Sequence, residues 1–135
     1  MSRVLILLGS ESDRERMEKA LPILHEAGVE TEVVVSSAHR EPDRTAELAR
    51  TAEARGFDVV IAGAGLSAAL PGVVAAHTRL PVIGVPLAAA LGGLDALLSI
   101  AQMPPGVPVA CVGIDNARNA AHLALRILRT SPRAE

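Results

Sequence analysis

The pattern of apolar and polar positions predicts five short strands that alternate with five helices. Apolar runs of strand length, each bounded by turn residues, occupy 4–8, 30–35, 57–62, 81–85 and 107–112. Apolar residues recur at helical spacing in the remaining segments, 12–27, 42–55, 71–78, 94–101 and about 116–128. Continuous apolar runs are typical of strands buried on both faces of a parallel sheet.

The alternation of strands and helices through short links predicts an α/β fold. We expect a single domain over residues 1–130, a doubly wound three-layer sandwich around a five-stranded parallel sheet. The flavodoxin-like strand order 2-1-3-4-5 is the first choice, and residues 131–135 are expected to form a frayed tail. Ligands of such sheets bind beyond the carboxyl ends of the strands, where the winding direction reverses. The loops after the first three strands should therefore carry the chemistry.

Helix start and stop signals agree with these bounds. Ser10, with Asp13 three residues later, resembles a capping box at the start of the first helix. Gly28 and Gly56 are suited to helix stops. Pro22 predicts a kink within the first helix, because proline has no backbone N–H to donate.

Composition and charge favour a small-molecule partner. The chain has 135 residues, of which half are apolar, with one Phe and no Trp or Tyr. A net charge of -2 and the lack of aromatic residues for base stacking argue against nucleic acid as a partner. The first apolar run is too short for a signal peptide or a membrane span, so we expect a cytoplasmic protein with no membrane partner.

Little in the sequence suggests metal binding or a reactive thiol. The lone Cys111 lies in an apolar run, and we expect a buried structural thiol rather than a nucleophile. No cluster of Cys, His and carboxylate residues has metal-ligand spacing, so no metal site is expected. His25, His77 and His122 are expected at helix surfaces or helix ends rather than as ligands.

Two glycine-containing loops are candidates for binding an anion. The segment GSESD at 9–13 combines a glycine, two hydroxyls and the free N–H groups of a helix start, and Asp13 is able to bind sugar hydroxyls. Helix capping by Ser10 and Asp13 explains the same residues equally well. The segment GAGLSAALPG at 63–72 lets backbone N–H groups approach a ligand closely, although a tight structural turn is the simpler explanation.

The loop after the second strand, SSAHREPD at 36–43, has the stronger chemical signal. It places a hydroxyl, an imidazole and a guanidinium together, where a proton carrier and a phosphate-binding group are needed. The alternative is that His39 and Arg40 are solvated loop residues, with Glu41 and Asp43 neutralising Arg40. We favour the functional interpretation, because the fold-level rule selects this loop independently.

Several stretches match the motifs of one known family and together cover nearly the whole chain. They are GSESD at 9–13, SAHREPD at 37–43, AGAG and LPGVVAA within 62–76, PVIGVP at 81–86, GLDALLSIAQMPPGVPVA at 93–110, and NAAHLALRIL at 119–128. The chain thus resembles the N5-carboxyaminoimidazole ribonucleotide mutases, the purE-type aminoimidazole ribonucleotide carboxylases of purine biosynthesis. The SAHR segment and the run through QMPPG are the most specific of these matches.

The resemblance implies a set of site residues and a reaction. Ser10 and Asp13 would bind the ribonucleotide, Ser12 and Arg40 would hold its phosphate, Gly65 would be a further substrate-binding position, and Ser37 and His39 would face the imidazole as catalytic residues. Carbon dioxide would leave the exocyclic nitrogen, stay in the pocket and be captured at ring carbon four, while His39 moves the proton. No metal or organic cofactor is expected, because the electron-rich aminoimidazole is itself the carbon nucleophile. The implied partners are the ribonucleotide, carbon dioxide and further copies of the chain, since the family forms octamers.

Two departures from the family pattern leave alternatives open. Ala69 stands where the mutases usually carry a second histidine, and His77 lies eight residues later, about 12 Å along a helix. The family usually continues into a long terminal helix, so the subunit number stays open. One alternative is a related carboxylase that uses free carbon dioxide or another nucleotide acceptor. The segment GIDN at 113–116 resembles the carboxylase of nickel-pincer cofactor synthesis. The other alternative is a non-catalytic ribonucleotide-binding protein.

Overall fold

Five parallel strands form the central sheet of the computed structural model, which describes residues 1–130. The expected tail, 131–135, lies outside the described residues. The strands are β1 (Arg3–Leu8), β2 (Glu30–Val35), β3 (Val59–Gly65), β4 (Val82–Leu87) and β5 (Ala110–Cys111). Neighbouring strands are parallel and their order is β2-β1-β3-β4-β5, so the predicted flavodoxin-like order is confirmed.

The helices follow the predicted order, with one interruption. They are α1 (Arg14–Met17), α2 (Leu21–Glu26), α3 (Pro42–Ala52), α4 (Leu70–His77), α5 (Leu94–Ala101) and α6 (Ala117–Arg129). A 3-10 turn, Glu18–Ala20, separates α1 from α2, and Pro22 is the second residue of α2. Because proline cannot donate the bond four residues back, the α-helical pattern is interrupted there, as Pro22 predicted. None of the helices within residues 1–130 is long and apolar enough to cross a membrane.

Apolar side chains fill the space between the helices and both faces of the sheet. On one face, Ile61 packs in a cluster with Leu24 of α2 and Ala121 of α6. On the other face, Val60 packs in a second cluster with Val74 of α4. All five side chains are fully buried. Two helical layers therefore enclose the sheet, and the predicted three-layer sandwich is confirmed.

The two edge strands differ from the prediction that every strand is buried on both faces. Most residues of β2 are only half-buried, and β5 is two residues long, because Pro108 has no N–H to donate to the ladder. Cys111 is half-buried rather than buried, and its thiol donates a weak hydrogen bond to the Val112 carbonyl at 3.4 Å. Burial raises the pKa of this thiol, which lowers its reactivity and agrees with a structural role.

Strand pairing brings the ends of β1, β2 and β3 to the same edge of the sheet. Leu8 pairs with the last residue of β2 on one side and with Gly63 on the other. β3 continues through Gly65, beyond the predicted end at 62. A Cβ at Gly63 would lie 2.3 Å from the Sδ of Met17, so glycine is required where α1 packs on the strand. The glycine run therefore belongs to the sheet, and the loop begins at Leu66.

Candidate active site

A cleft of about 720 Å³ opens at this edge of the sheet, between the loops that follow β1, β2 and β3. It lies where the winding direction of the sheet reverses, as the fold predicted. Every predicted substrate-binding and catalytic residue lines it: Ser10, Ser12, Asp13, Ser37, His39, Arg40 and Gly65. Its volume is in the range of small-molecule sites. The structure thus brings together residues from three separate loops.

The first wall of the cleft begins at Ser10, which caps a 3-10 turn over Glu11–Asp13. Its Oγ accepts a hydrogen bond from the N–H of Ser12 at 3.3 Å and lies 3.0 Å from the Oγ of Ser12. A hydroxyl has two acceptor positions and one proton, so the cap leaves part of this capacity unused. Helix capping and ligand binding are therefore compatible at Ser10.

Asp13 supplies a shielded carboxylate on the same wall, with only 7% of the residue exposed. Its Oδ1 accepts a hydrogen bond from Nη2 of Arg16 at 3.1 Å. Burial raises the pKa of Asp13 above its ordinary value, although Arg16 and the Ser10 N–H favour the ionised form. The result is a carboxylate of defined orientation that can accept hydrogen bonds from hydroxyl groups.

A buried pair of hydroxyls holds the loop after β2. Ser36 and Thr45 are both fully buried, and their side-chain oxygens are 2.7 Å apart. Thr45 also donates its proton to the carbonyl of Ser37 at 3.2 Å, so Ser36 is the donor within the pair. These bonds connect α3 to the end of β2, directly before the residues that face the cleft.

The turn that follows exposes His39 and Arg40 at the mouth of the cleft. The Oγ of Ser37 accepts the backbone N–H of Arg40 at 3.1 Å, and the Ser37 carbonyl accepts that of Glu41 at 2.8 Å. Glu41 pairs with Arg44 at 3.6 Å, and within residues 1–130 no carboxylate forms an ion pair with Arg40. Neighbouring carboxylates therefore do not pair with Arg40 among these residues, while the exposure of His39 and Arg40 is what the solvated-loop alternative also expects. The guanidinium is available for an anion.

The third wall is a turn with unusual backbone conformations. Leu66 and Ala68 have φ values of +53° and +43°, in the left-handed region that side-chain-bearing residues rarely adopt. Such residues cost on the order of 1–3 kcal/mol each and are concentrated at functional sites. A Cβ at Gly65 would lie 3.1 Å from the carbonyl of Leu87, so this strand end also has little room for a side chain. The turn after Gly65 is therefore the part of this wall whose backbone can approach a ligand closely.

Of the four histidines, all within residues 1–130, His39 is the one that lines the cleft. Ala69 lines it too, at the start of α4, whereas His77 lies at the far end of that helix and outside the cleft. His25 and His122 are exposed on other helices, as expected. In the same span no three His, Cys, Asp or Glu side chains are grouped so that they could hold a metal ion.

Arg16 is a cleft residue that the sequence analysis missed. Besides Asp13, it binds the Ala88 carbonyl at 2.8 Å and Oδ1 of Asp115 at 3.1 Å, both through Nη1. Its spacing of three residues from Asp13 is a helical contact spacing and was the available signal. The contacts with the distant loops depend on the tertiary fold.

The fold and the cleft together define an α/β domain with a small-molecule site at the switch point of a doubly wound sheet. The family model described as AIR carboxylase matches residues 3–134. The chain belongs to this family, and the resemblance seen in the sequence motifs is confirmed.

Relatives and solved structures agree with this assignment. A protein of Pyrococcus abyssi named N5-carboxyaminoimidazole ribonucleotide mutase is 60% identical over 129 residues, which cover 95% of this chain and 74% of the relative. One of Thermotoga maritima with the same name is 57% identical, covering 95% of this chain and 75% of the relative. A Schizosaccharomyces pombe protein named phosphoribosylaminoimidazole carboxylase is 56% identical over 93% of this chain and 23% of its own length. The crystal structure of Treponema denticola PurE superposes with a TM-score of 0.85 at 31% identity, covering 98% of this chain and 84% of that one.

Proposed function

We propose that this chain is an N5-carboxyaminoimidazole ribonucleotide mutase of purine biosynthesis. It moves a carboxyl group from the exocyclic nitrogen of the ribonucleotide to ring carbon four, giving 4-carboxy-5-aminoimidazole ribonucleotide. The observation that carries the proposal is the cleft itself. In a chain 60% identical to a protein named as such a mutase, one imidazole, the guanidinium of Arg40 and a set of hydroxyls converge on a space of about 720 Å³, and no carboxylate within residues 1–130 pairs with that guanidinium.

The binding roles follow from the chemistry of each group. Arg40 and Ser12 hold the phosphate, because a planar guanidinium binds two phosphate oxygens at once and a hydroxyl donates to a third. Asp13 and Ser10 accept hydrogen bonds from the sugar hydroxyls. Gly65 and the turn after it leave room for the base to lie against the backbone.

The reaction requires one proton to be delivered to the exocyclic nitrogen and one to be removed from ring carbon four, and His39 transfers both. Protonated His39 donates to the exocyclic nitrogen as its bond to the carboxyl carbon breaks, which releases carbon dioxide within the cleft. Ring carbon four then attacks the carbon dioxide, and neutral His39 accepts the proton that this carbon loses. An imidazole suits both steps, since its ordinary pKa near ~6.5 allows it to donate and accept near neutrality. Ser37 orients the base by hydrogen bonding next to His39.

Ala69 favours a second candidate function, a carboxylase that takes free carbon dioxide. It lines the cleft at the position where the resemblance leads us to expect a second imidazole. A site with one imidazole has fewer groups to orient the N-carboxylated substrate, so another donor or acceptor is chemically reasonable.

The test compares three substrate sets with the same purified protein. They are the N-carboxylated ribonucleotide, aminoimidazole ribonucleotide with bicarbonate, and nicotinic acid adenine dinucleotide with bicarbonate. We expect rapid formation of the ring-carboxylated product from the first set only. Faster product formation from the second set would identify the carboxylase, and from the third an enzyme of the nickel-pincer type. Binding without turnover in every set would identify a non-catalytic homologue.

Self-association and a cytoplasmic location belong to the same proposal. Large apolar side chains are exposed close to the cleft and on the neighbouring loops and helix: Leu66 (55%), Leu91 (69%), Leu94 (58%), Leu98 (52%) and Ile114 (38%). Contiguous exposed apolar patches mark contact surfaces, and we propose that these side chains form one. Sedimentation equilibrium tests for a homo-oligomer, and a monomer at micromolar concentration would contradict it. Cell fractionation tests the location.

A further inference from the structure

Arg16 joins three segments around the cleft that are distant in the sequence. Its Nη2 donates to Oδ1 of Asp13 at 3.1 Å, and its Nη1 donates to the Ala88 carbonyl at 2.8 Å and to Oδ1 of Asp115 at 3.1 Å. The guanidinium is planar and presents its donors in a fixed fork. The partners on its two sides are therefore held at a fixed distance from one another.

Asp115 completes the connection between the loops. It adopts a left-handed conformation with φ +59°, its N–H donates to the Pro86 carbonyl at 2.8 Å, and its Oδ1 accepts the N–H of Ala88 at 2.9 Å. The loop after β4 and the loop before α6 are thus connected to each other and, through Arg16, to the loop after β1. Ala89, next to Ala88, lines the cleft, so this connection also sets the position of one wall.

We propose that Arg16 is a positioning residue, which fixes the Asp13 carboxylate in the orientation that binds the sugar of the ribonucleotide. The inference rests on the proposed function. Its support is the shielding of the pair, because the Asp13 side chain is 10% exposed and the Arg16 side chain 32%. Exposed ion pairs are loosely held, whereas a shielded pair with a second anchor at Asp115 has a defined geometry.

Substitution of Arg16 should act on substrate affinity rather than on the chemical step. Arg16→Met removes the fork and keeps the aliphatic stem. We expect KM to rise about tenfold and kcat to stay within about twofold, because a sugar contact remote from the reacting atoms is made equally in the ground and transition states. Arg16→Lys keeps the charge without the fork, so it should recover part of the affinity. A merely structural role would lower Tm and leave KM unchanged.

A double-mutant cycle shows whether Arg16 acts through Asp13. On an Asp13→Asn background, Arg16→Met should raise KM no further, whereas independent residues would give multiplied effects. Arg14→Met is the matched control, since Arg14 lies on the same short helix and pairs with Glu11 and Glu18 at 2.5 and 3.5 Å. It removes the same charge and should leave KM as in the unmodified protein.

Calorimetric binding of 5-aminoimidazole ribonucleotide separates this inference from the proposed function. If the unmodified protein binds the compound without catalysing turnover and Arg16→Met binds it about tenfold more weakly, the mutase proposal fails and the role of Arg16 stands. If the unmodified protein is active and Arg16→Met keeps its KM, or if the two substitutions multiply, the role of Arg16 is overturned and the mutase stands.

Discussion

The buried hydroxyl pair of Ser36 and Thr45 makes a quantitative test of how the catalytic loop is held. Thr45→Val removes the hydroxyl that accepts from Ser36 at 2.7 Å and donates to the Ser37 carbonyl at 3.2 Å. That carbonyl keeps the N–H of Glu41 at 2.8 Å, so it stays satisfied. The Ser36 hydroxyl is left without a hydrogen-bond acceptor, because it is fully buried and loses Thr45.

The size of the effect follows from the orphaned hydroxyl. Leaving a buried polar group unpaired costs about 1–3 kcal/mol, so we expect Thr45→Val to lower the free energy of unfolding by about 2 kcal/mol. Ser36→Ala leaves the Thr45 hydroxyl donating to the Ser37 carbonyl and should lower the free energy of unfolding by about 1 kcal/mol. The double variant orphans no hydroxyl, so it should cost less than Thr45→Val, about 1 kcal/mol rather than the summed 3, which is a coupling of about 2 kcal/mol.

Equilibrium unfolding in urea measures all four proteins of this cycle. The unfolding slope should be unchanged, and the Tm of Thr45→Val should fall by roughly 6 to 8 °C for a domain of this size. If the losses of the two single variants sum to the loss of the double variant within about 0.3 kcal/mol, the hydrogen bond does not hold the loop and the reasoning is refuted. The kcat/KM of folded Thr45→Val should also fall, since the same bond positions the turn that carries His39.

Three further substitutions test separate parts of the account. Because burial raises the pKa of Asp13, the folded state binds its proton more tightly than the unfolded chain, and the ionised carboxylate opposes folding above that raised pKa. Asp13→Asn should therefore raise Tm at pH 7 and give no gain near pH ~2, where both states are protonated; a lower Tm at pH 7 would contradict the shift. Gly63→Ala should lower the free energy of unfolding by about 1–3 kcal/mol, and with it the urea midpoint, because its Cβ would lie 2.3 Å from Met17 Sδ. An unchanged midpoint would contradict that packing. Arg40→Leu should weaken calorimetric affinity for the ribonucleotide more than it lowers kcat, and unchanged affinity would remove its phosphate role.

Much of the fold was predictable because local signals and the global topology agree. Apolar runs bounded by turn residues specify β1, β2 and β4 closely, and the alternation with helices specifies the parallel sheet. The errors have tertiary causes. The run at 107–112 is apolar, yet Pro108 limits β5 to two residues. The glycines at 63–65 resemble a loop, yet this segment extends β3, because it pairs with the last three residues of β4.

The site was predictable as far as it depends on strand ends and motifs. His39 and Arg40 follow a strand end that the switch-point rule selects, so the sequence alone directs attention to them. The contact of Arg16 with Asp115 joins residues 99 positions apart, and no local pattern specifies such a pair. The bond between Ser36 and Thr45 is closer in sequence, but it depends on how α3 docks on the sheet.

The central claim is that His39 alone supplies the imidazole for carboxyl transfer in this cleft. The most direct measurement follows conversion of the N-carboxylated ribonucleotide to its ring-carboxylated isomer by the unmodified protein, by His39→Ala, and by His122→Ala as a control on an exposed histidine. We predict turnover by the unmodified protein and the control, and a loss of about 100-fold or more in His39→Ala. Absence of turnover with folded unmodified protein, or full activity in His39→Ala, would contradict the account.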